Sequence, residues 1–186
     1  MIKLWCGAYL RIMVYEDIIA GVSSAVRKSK EREASFILRV VQPALVGLMD
    51  GSVSTLAPLF AAAYATGSTH VAFLIGASAA TGAGISMAFA EALSDTGEET
   101  GRGHPFIRGS IVGLMTFIGG ILHTLPFLLS HLQAALYLAY LVVGVELIAI
   151  AYIRYHFFQM RFWLSIVQVV LGGALVLFAG LLIGSA

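Results

Sequence analysis

Residues 43–66 read PALVGLMDGSVSTLAPLFAAAYAT, an apolar run with one charged side chain, Asp50, set between Met49 and Gly51. Whether a carboxylate belongs there depends on whether the medium around it is water or lipid, and composition decides that. Of 186 residues, 59% are hydrophobic and 11% are charged, with a mean hydropathy of +0.92. Soluble domains carry about 25% charged residues, so this chain has too few to cover a water-facing surface. The run reads as a membrane span and the chain as an all-α integral membrane bundle. A net charge of +1 creates no long-range field, so nucleic acid is not an expected partner. The single cysteine, Cys6, excludes an internal disulfide or a Cys-pair metal site and reads as a thiol in a reducing compartment.

Outward from that run, four breaks divide the chain: GSTH (67–70), SDTGEETGRGHPFIR (94–108), SH (130–131) and RYHFFQMR (154–161). They leave apolar segments of about 20 residues, the length that crosses roughly 30 Å of hydrocarbon at 1.5 Å per residue. The expected spans are 43–66, 71–93, 109–130, 133–153 and 162–184. With these spans every Lys and Arg falls on one side: Lys3, Arg11, Arg27, Lys28, Lys30, Arg32 and Arg39, then Arg102, Arg108, Arg154 and Arg161. The positive-inside rule makes the N-terminus cytoplasmic and puts the C-terminus outside. Lys3 with LWCGAYL looks like the start of a signal peptide, but Arg11, Glu16 and Asp17 interrupt its apolar core, so residues 1–42 are expected in the mature protein.

Two domains follow: a cytoplasmic or interfacial segment, 1–42, and a transmembrane domain, 43–186. In residues 17–42 the apolar positions Ile18, Ile19, Val22 and Val26, then Phe36, Ile37 and Val40, predict an amphipathic helix on the membrane surface. Residues 27–35 read equally as a solvated linker. Small residues recur every fourth position at Gly47 and Gly51, at Gly76, Ala80, Gly84 and Ala88, and at Gly109 and Gly113. Such faces serve close packing or dimerisation in lipid.

Asp50 lies about 8 residues into its span, roughly 12 Å from the cytoplasmic edge. A carboxylate in hydrocarbon costs roughly 2.5–3.5 kcal/mol, so it is expected to face a partner or a water-filled path. Glu146 has a similar depth in the fourth span. Met87 and Glu91 share a helical face at i,i+4 spacing near the end of the second. Carboxylate oxygens suit Fe2+ and Mn2+, and a thioether favours transition metals over Mg2+ or Ca2+. The plain readings are core filling for Met87, snorkelling for Glu91, and pairing with Arg154 or a polar neighbour for Glu146. His70 and His131 read as solvated, and His104, in the loop near Glu98 and Glu99, as a residue that helps recruit metal or merely faces water. His123, inside the third span, reads as a core histidine bonded to a backbone carbonyl, or more sharply as an exit-path ligand or proton relay. No HExxH, GxSxG or Ser/His/Asp arrangement points to an enzyme.

MDGSVSTLAP (49–58), GAGISMAFAEALSD (82–95) and GGILHTLPFLL (119–129) resemble the first three spans of the vacuolar iron transporter family. More similar still is the membrane domain of bacterial membrane-bound ferritins, which share MDGSVSTLAP, AEALSD and the GRGHP loop (101–105). The resemblance covers roughly residues 40–184. It implies a five-helix homodimer that moves Fe2+, or Mn2+, out of the cytosol in exchange for protons along the subunit interface, with no tightly bound cofactor. Asp50 and Met87 match the family's pore Asp and Met, and Glu98 and Glu99 match glutamates of its metal-collecting region. Three features depart from the pattern. Ala79 stands where the plant proteins have a glutamate, Glu91 stands at their glycine, and their metal-binding insert shrinks to about a dozen residues. No Glu-x-x-His pair of a ferritin-like domain occurs in residues 1–42.

The expected site is therefore Asp50, Met87 and Glu91 from two chains, with Gly51 leaving backbone room and Glu146 behind the ligands as a neighbour or proton carrier. Carboxylates crowded there share protons that an arriving metal displaces. Expected partners are the lipid bilayer, a second copy, and a ferritin-like protein or a larger membrane complex. The alternative is a non-transporting structural subunit of such a complex, docked through LWCGAYLRIMVY (4–15).

Overall fold

Prolines break two of the apolar spans of this chain. In the computed structural model, which describes residues 21–94, 96–97 and 100–185, the first span comprises α1 (Gln42–Ser54) and α2 (Leu56–Thr66), interrupted at Thr55. Pro58 has no N–H for the Ser54 carbonyl, and its ring crowds that carbonyl. At Pro43 the same deficit falls on Arg39, and residues Ile37–Val41 form a π-helical turn, the wider pattern that skips a missing bond.

The GSTH break is a tight turn. Gly67 takes φ 63°, a left-handed helix end that favours a residue without Cβ. The Ser68 hydroxyl then accepts from the Val71 N–H at 3.3 Å and caps α3 (Thr69–Ala92). Helix α4 (Pro105–Leu122) begins on a proline, where a missing N–H costs nothing. The single helix expected over 109–130 does not form: α4 stops at Leu122, and a short 3-10 turn, Leu125–Leu128, follows. Pro126 cannot bond the Leu122 carbonyl, as Pro58 cannot bond that of Ser54. Helix α5 (Leu132–Phe158) runs through most of the break expected at 154–161, and its Arg154 guanidinium reaches α6 (Phe162–Gly184), donating to Gln168 at 2.9 Å.

Five of these helical segments are long and apolar enough to cross a membrane, the first running from Gly21 to Thr66. The described residues contain no strand. Lipid adds no hydrophobic drive between helices, so close backbone approach does the packing. Helix α4 touches both α1 and α3 in this way. A methyl group at Gly113 would sit 2.6 Å from the Ala88 side chain, and one at Gly109 would sit 2.8 Å from that of Ala92. Gly47 and Gly51 press on the α4 backbone at Val112 and Thr116. The small-residue faces of α1 and α3 thus serve packing within the chain. Phe60, stacked on Tyr140 at 4.9 Å and edge-on to Phe127, fills the end of the bundle near the GSTH turn.

Outside, the bundle is apolar all round: Ile75, Ile85, Leu114, Leu141, Ile148 and Leu175 are exposed. Exposed rings ring both ends, Tyr64 and Tyr137 at one, Tyr152, Tyr155 and Trp163 beside Arg154 and Arg161 at the other. That is the pattern of aromatic anchors at two membrane–water interfaces.

The chain divides between Ile37 and Leu38 into two units. In the first, residues 21–36 are helical and, Ser35 aside, exposed throughout, with an Arg27–Glu31 pair at 3.7 Å on the surface. Residues 17–20 of the expected amphipathic helix, and Cys6, lie outside the described residues.

Candidate functional site

The two proline-made breaks meet. Thr55 donates its hydroxyl proton to the Gly51 carbonyl at 2.8 Å, replacing helical bonding where the first span is interrupted. The same oxygen lies 2.7 Å from Nε2 of His123, the residue that ends α4. On its other side His123 Nδ1 lies 3.0 Å from Glu146 Oε2, on α5. His123 and Thr55 are fully buried, and Glu146 is 5% exposed. Thr55 lies midway along Gln42–Thr66 and Glu146 midway along Leu132–Phe158, so the chain Gly51–Thr55–His123–Glu146 joins the middle of these two spans to the end of α4. Irregular backbone at that depth is tolerated only where protein buries it or where it lines a cavity. Broken helices carrying ionisable groups at mid-membrane are the common form of transporter binding sites.

Among the described residues Glu146 Oε1 is buried with no hydrogen-bond partner, and elsewhere in the bundle so are the hydroxyls of Ser52, Thr116 and Ser165. Of these, a buried unpartnered carboxylate oxygen is the most costly. Thr124, next to His123, bonds the Gly120 carbonyl at 2.8 Å.

Asp50 lies one residue before Gly51, on the α1 stripe that also carries Val46 and Ser54. Val46 and Ser54 are exposed and Asp50 is half-buried. The Asp50 carboxylate makes no hydrogen bond or ion pair with any described residue.

Glu91 is differently placed. Its Oε1 accepts from Arg108 Nε and, at 3.0 Å, from Arg102 Nη2, while Arg108 Nη2 reaches the Ser94 hydroxyl at 3.2 Å. Arg108 is buried on α4. Instead of snorkelling, Glu91 is clamped at the cytoplasm-facing end expected from the charge pattern, and a metal at this oxygen competes with two guanidinium donors. Met87 is half-buried one turn before it. Among the described residues no three His, Cys, Asp or Glu side chains come together to hold a metal. Glu98 and Glu99 lie outside the described residues. His70, His104 and His131 are exposed, as expected.

One expectation changes: His123 is bonded by side chains, Thr55 and Glu146, and not by a backbone carbonyl. Of the two partners expected for Glu146, the structure has the polar neighbour, His123, and not Arg154. Thr55 was not singled out from the sequence, yet a signal marks it: TLAP (55–58) and HTLP (123–126) each place a proline three residues after the residue at the break. No protein-family model, curated protein or solved structure matches this chain.

Proposed function

We propose that the chain is a divalent-metal exporter that takes Fe2+ or Mn2+ out of the cytosol in exchange for protons and works as a homodimer. The observation that carries this reading is Asp50, a half-buried carboxylate inside a membrane span that has no partner among the described residues and lies between the exposed Val46 and Ser54. Facing lipid alone, such a charge costs roughly 2.5–3.5 kcal/mol. A second copy over that stripe and an arriving cation together offset the cost. Two copies bring two Asp50 carboxylates and two Met87 thioethers near one axis, an oxygen and sulfur set suited to a transition metal. Glu91, loosened from Arg102 and Arg108, adds its carboxylate at the cytoplasmic mouth, and Glu98 and Glu99 in the adjoining loop attract metal to it.

The Lys and Arg distribution orients the chain in a bacterial inner membrane, with the N-terminus cytoplasmic and the C-terminus periplasmic. Reporters fused to the two ends should therefore act on opposite sides; activity on the same side contradicts this orientation. The exposed helical residues 21–36, with their basic cluster, lie on the cytoplasmic lipid surface in this reading.

Expression in bacterial cells challenged with excess Mn2+ or Fe2+ tests the function. Cells carrying the chain should hold less metal and grow where control cells stop. Equal metal content in both favours the rival reading, a structural subunit of a larger membrane complex.

A further inference from the structure

We propose that the turn between α5 and α6 binds the headgroup of an anionic phospholipid, with Arg154 and Arg161 holding its phosphate. The proposal is independent of metal transport and needs only that these two helices stand in a bilayer.

Charge is the first observation. Beyond Glu146 the chain has no Asp or Glu, yet RYHFFQMR (154–161) carries an arginine at each end. Glu146 itself is buried and paired with His123. Neither Arg154 nor Arg161 forms an ion pair with a described residue. Two positive charges therefore stand uncompensated at one turn of an otherwise apolar hairpin.

Position is the second observation. Arg154 lies about 6 Å before the end of α5, and Gln168 lies about 9 Å inside α6, at roughly 1.5 Å per residue. Arg154 Nη2 donates to Gln168 Oε1 at 2.9 Å and to Met160 Sδ at 3.4 Å. Because Gln168 is exposed, these contacts hold the guanidinium at the outer surface of the hairpin. The Nε and Nη1 hydrogens of Arg154 have no partner among the described residues. A guanidinium is a planar fork of donors that matches two oxygens of a phosphate. The Met160 N–H bonds the Arg154 carbonyl at 3.4 Å, which brings the next residue, Arg161, to the same turn. Arg161 is exposed, and its side chain bonds nothing described.

The surroundings decide the occupant. Tyr155 and Trp163 are exposed beside the arginines, and Phe162 meets them edge-on at 5.9 and 6.1 Å. Amphipathic rings of this kind lie at headgroup level, the depth of the lipid phosphates. Basic pockets between membrane helices bind anionic headgroups there. A second copy docked on this turn about a twofold axis would set two arginines against two arginines. A zwitterionic lipid brings a cation with its phosphate, so two unpaired arginines favour a lipid with net negative charge.

Trp163 reports the occupant directly, since Trp5→Phe leaves it as the one tryptophan of the full-length chain. That protein is placed in phosphatidylcholine nanodiscs doped with acyl-brominated phosphatidylglycerol or acyl-brominated phosphatidylcholine, and quenching of Trp163 is read. Phosphatidylglycerol should be preferred at the turn by about fivefold for each arginine engaged. Arg161→Gln, which breaks no bond to a described residue, should lower the preference about fivefold. Arg154→Gln together with Arg161→Gln should abolish it. Lys28→Gln with Arg32→Gln, in the basic helical residues 21–36, should leave it unchanged, and soluble glycerol phosphate should not relieve the quenching. Equal quenching by the two lipids, or a preference that survives Arg161→Gln undiminished, overturns the proposal. A preference lost in the Lys28 and Arg32 variant also overturns it, in favour of diffuse attraction to a charged bilayer. Relief by glycerol phosphate overturns it too, in favour of a free phosphate as the ligand.

Discussion

His123→Leu is expected to destabilise the folded protein by about 3–5 kcal/mol, the usual consequence of removing one partner from a buried ionisable pair. The substitution strips Glu146 Oε2 of its hydrogen bond to His123, and Oε1 has none among the described residues, so the whole carboxyl group stands buried without a described partner. It also frees Thr55 from α4, leaving the two helix breaks without their link. Glu146→Leu should cost less, about 1–3 kcal/mol, because it leaves one neutral ring nitrogen unbonded. The double variant should recover much of the loss from His123→Leu, since an apolar replacement of both partners is often close to neutral. Reversible unfolding in mixed detergent micelles measures all three. If the double variant is as unstable as the sum of the singles, the two side chains act independently and the paired account of this site fails.

Asp50→Asn is expected to reduce metal flux in reconstituted vesicles to the level of vesicles without protein, with the fold intact. Asp50 bonds no described residue, so its replacement by a neutral isostere breaks nothing in the bundle. Stability should hold or rise, because a charge that is costly in lipid is removed. What disappears is the charge that attracts and desolvates a dication. Met87→Leu should weaken Fe2+ flux more than Mn2+ flux, because the lost sulfur favours the softer ion. Wild-type flux from Asp50→Asn, with normal stability, would place the metal path elsewhere and favour the structural reading.

Much of this molecule is legible in its sequence because lipid imposes simple rules. The length and composition of the apolar runs locate five spans, and the last, 162–184, coincides with α6. The interruptions were harder to see, since a proline inside an apolar run also occurs in continuous, kinked membrane helices. Pro58 and Pro126 end regular helix here because Thr55 and His123 supply side-chain bonds to each other in place of the lost ladder. Such a trade depends on three-dimensional neighbours. The same holds for the charges. Asp50 is anomalous from sequence alone, and its lack of a described partner sharpens the anomaly. Glu91 reads identically in sequence to a ligand at the end of a span, yet two arginines from beyond α3 occupy it. Spacing along one helix cannot reveal a clamp contributed by another. The glycines tell a similar story: their fourth-residue pattern announces close packing, but only the fold shows that Gly51 and Gly84 meet α4.

The central claim, that this chain exchanges a divalent metal for protons, is tested most directly by recording both ions in the same vesicles. Purified wild-type protein is reconstituted with one dye that reports internal Mn2+ and another that reports internal pH, and Mn2+ is added outside. The account predicts that Mn2+ rises inside while protons leave, that the two signals share one time course, and that an inward-acid gradient speeds both. Mn2+ uptake with no proton movement would contradict the exchange, and no uptake in either orientation of the protein would contradict transport altogether.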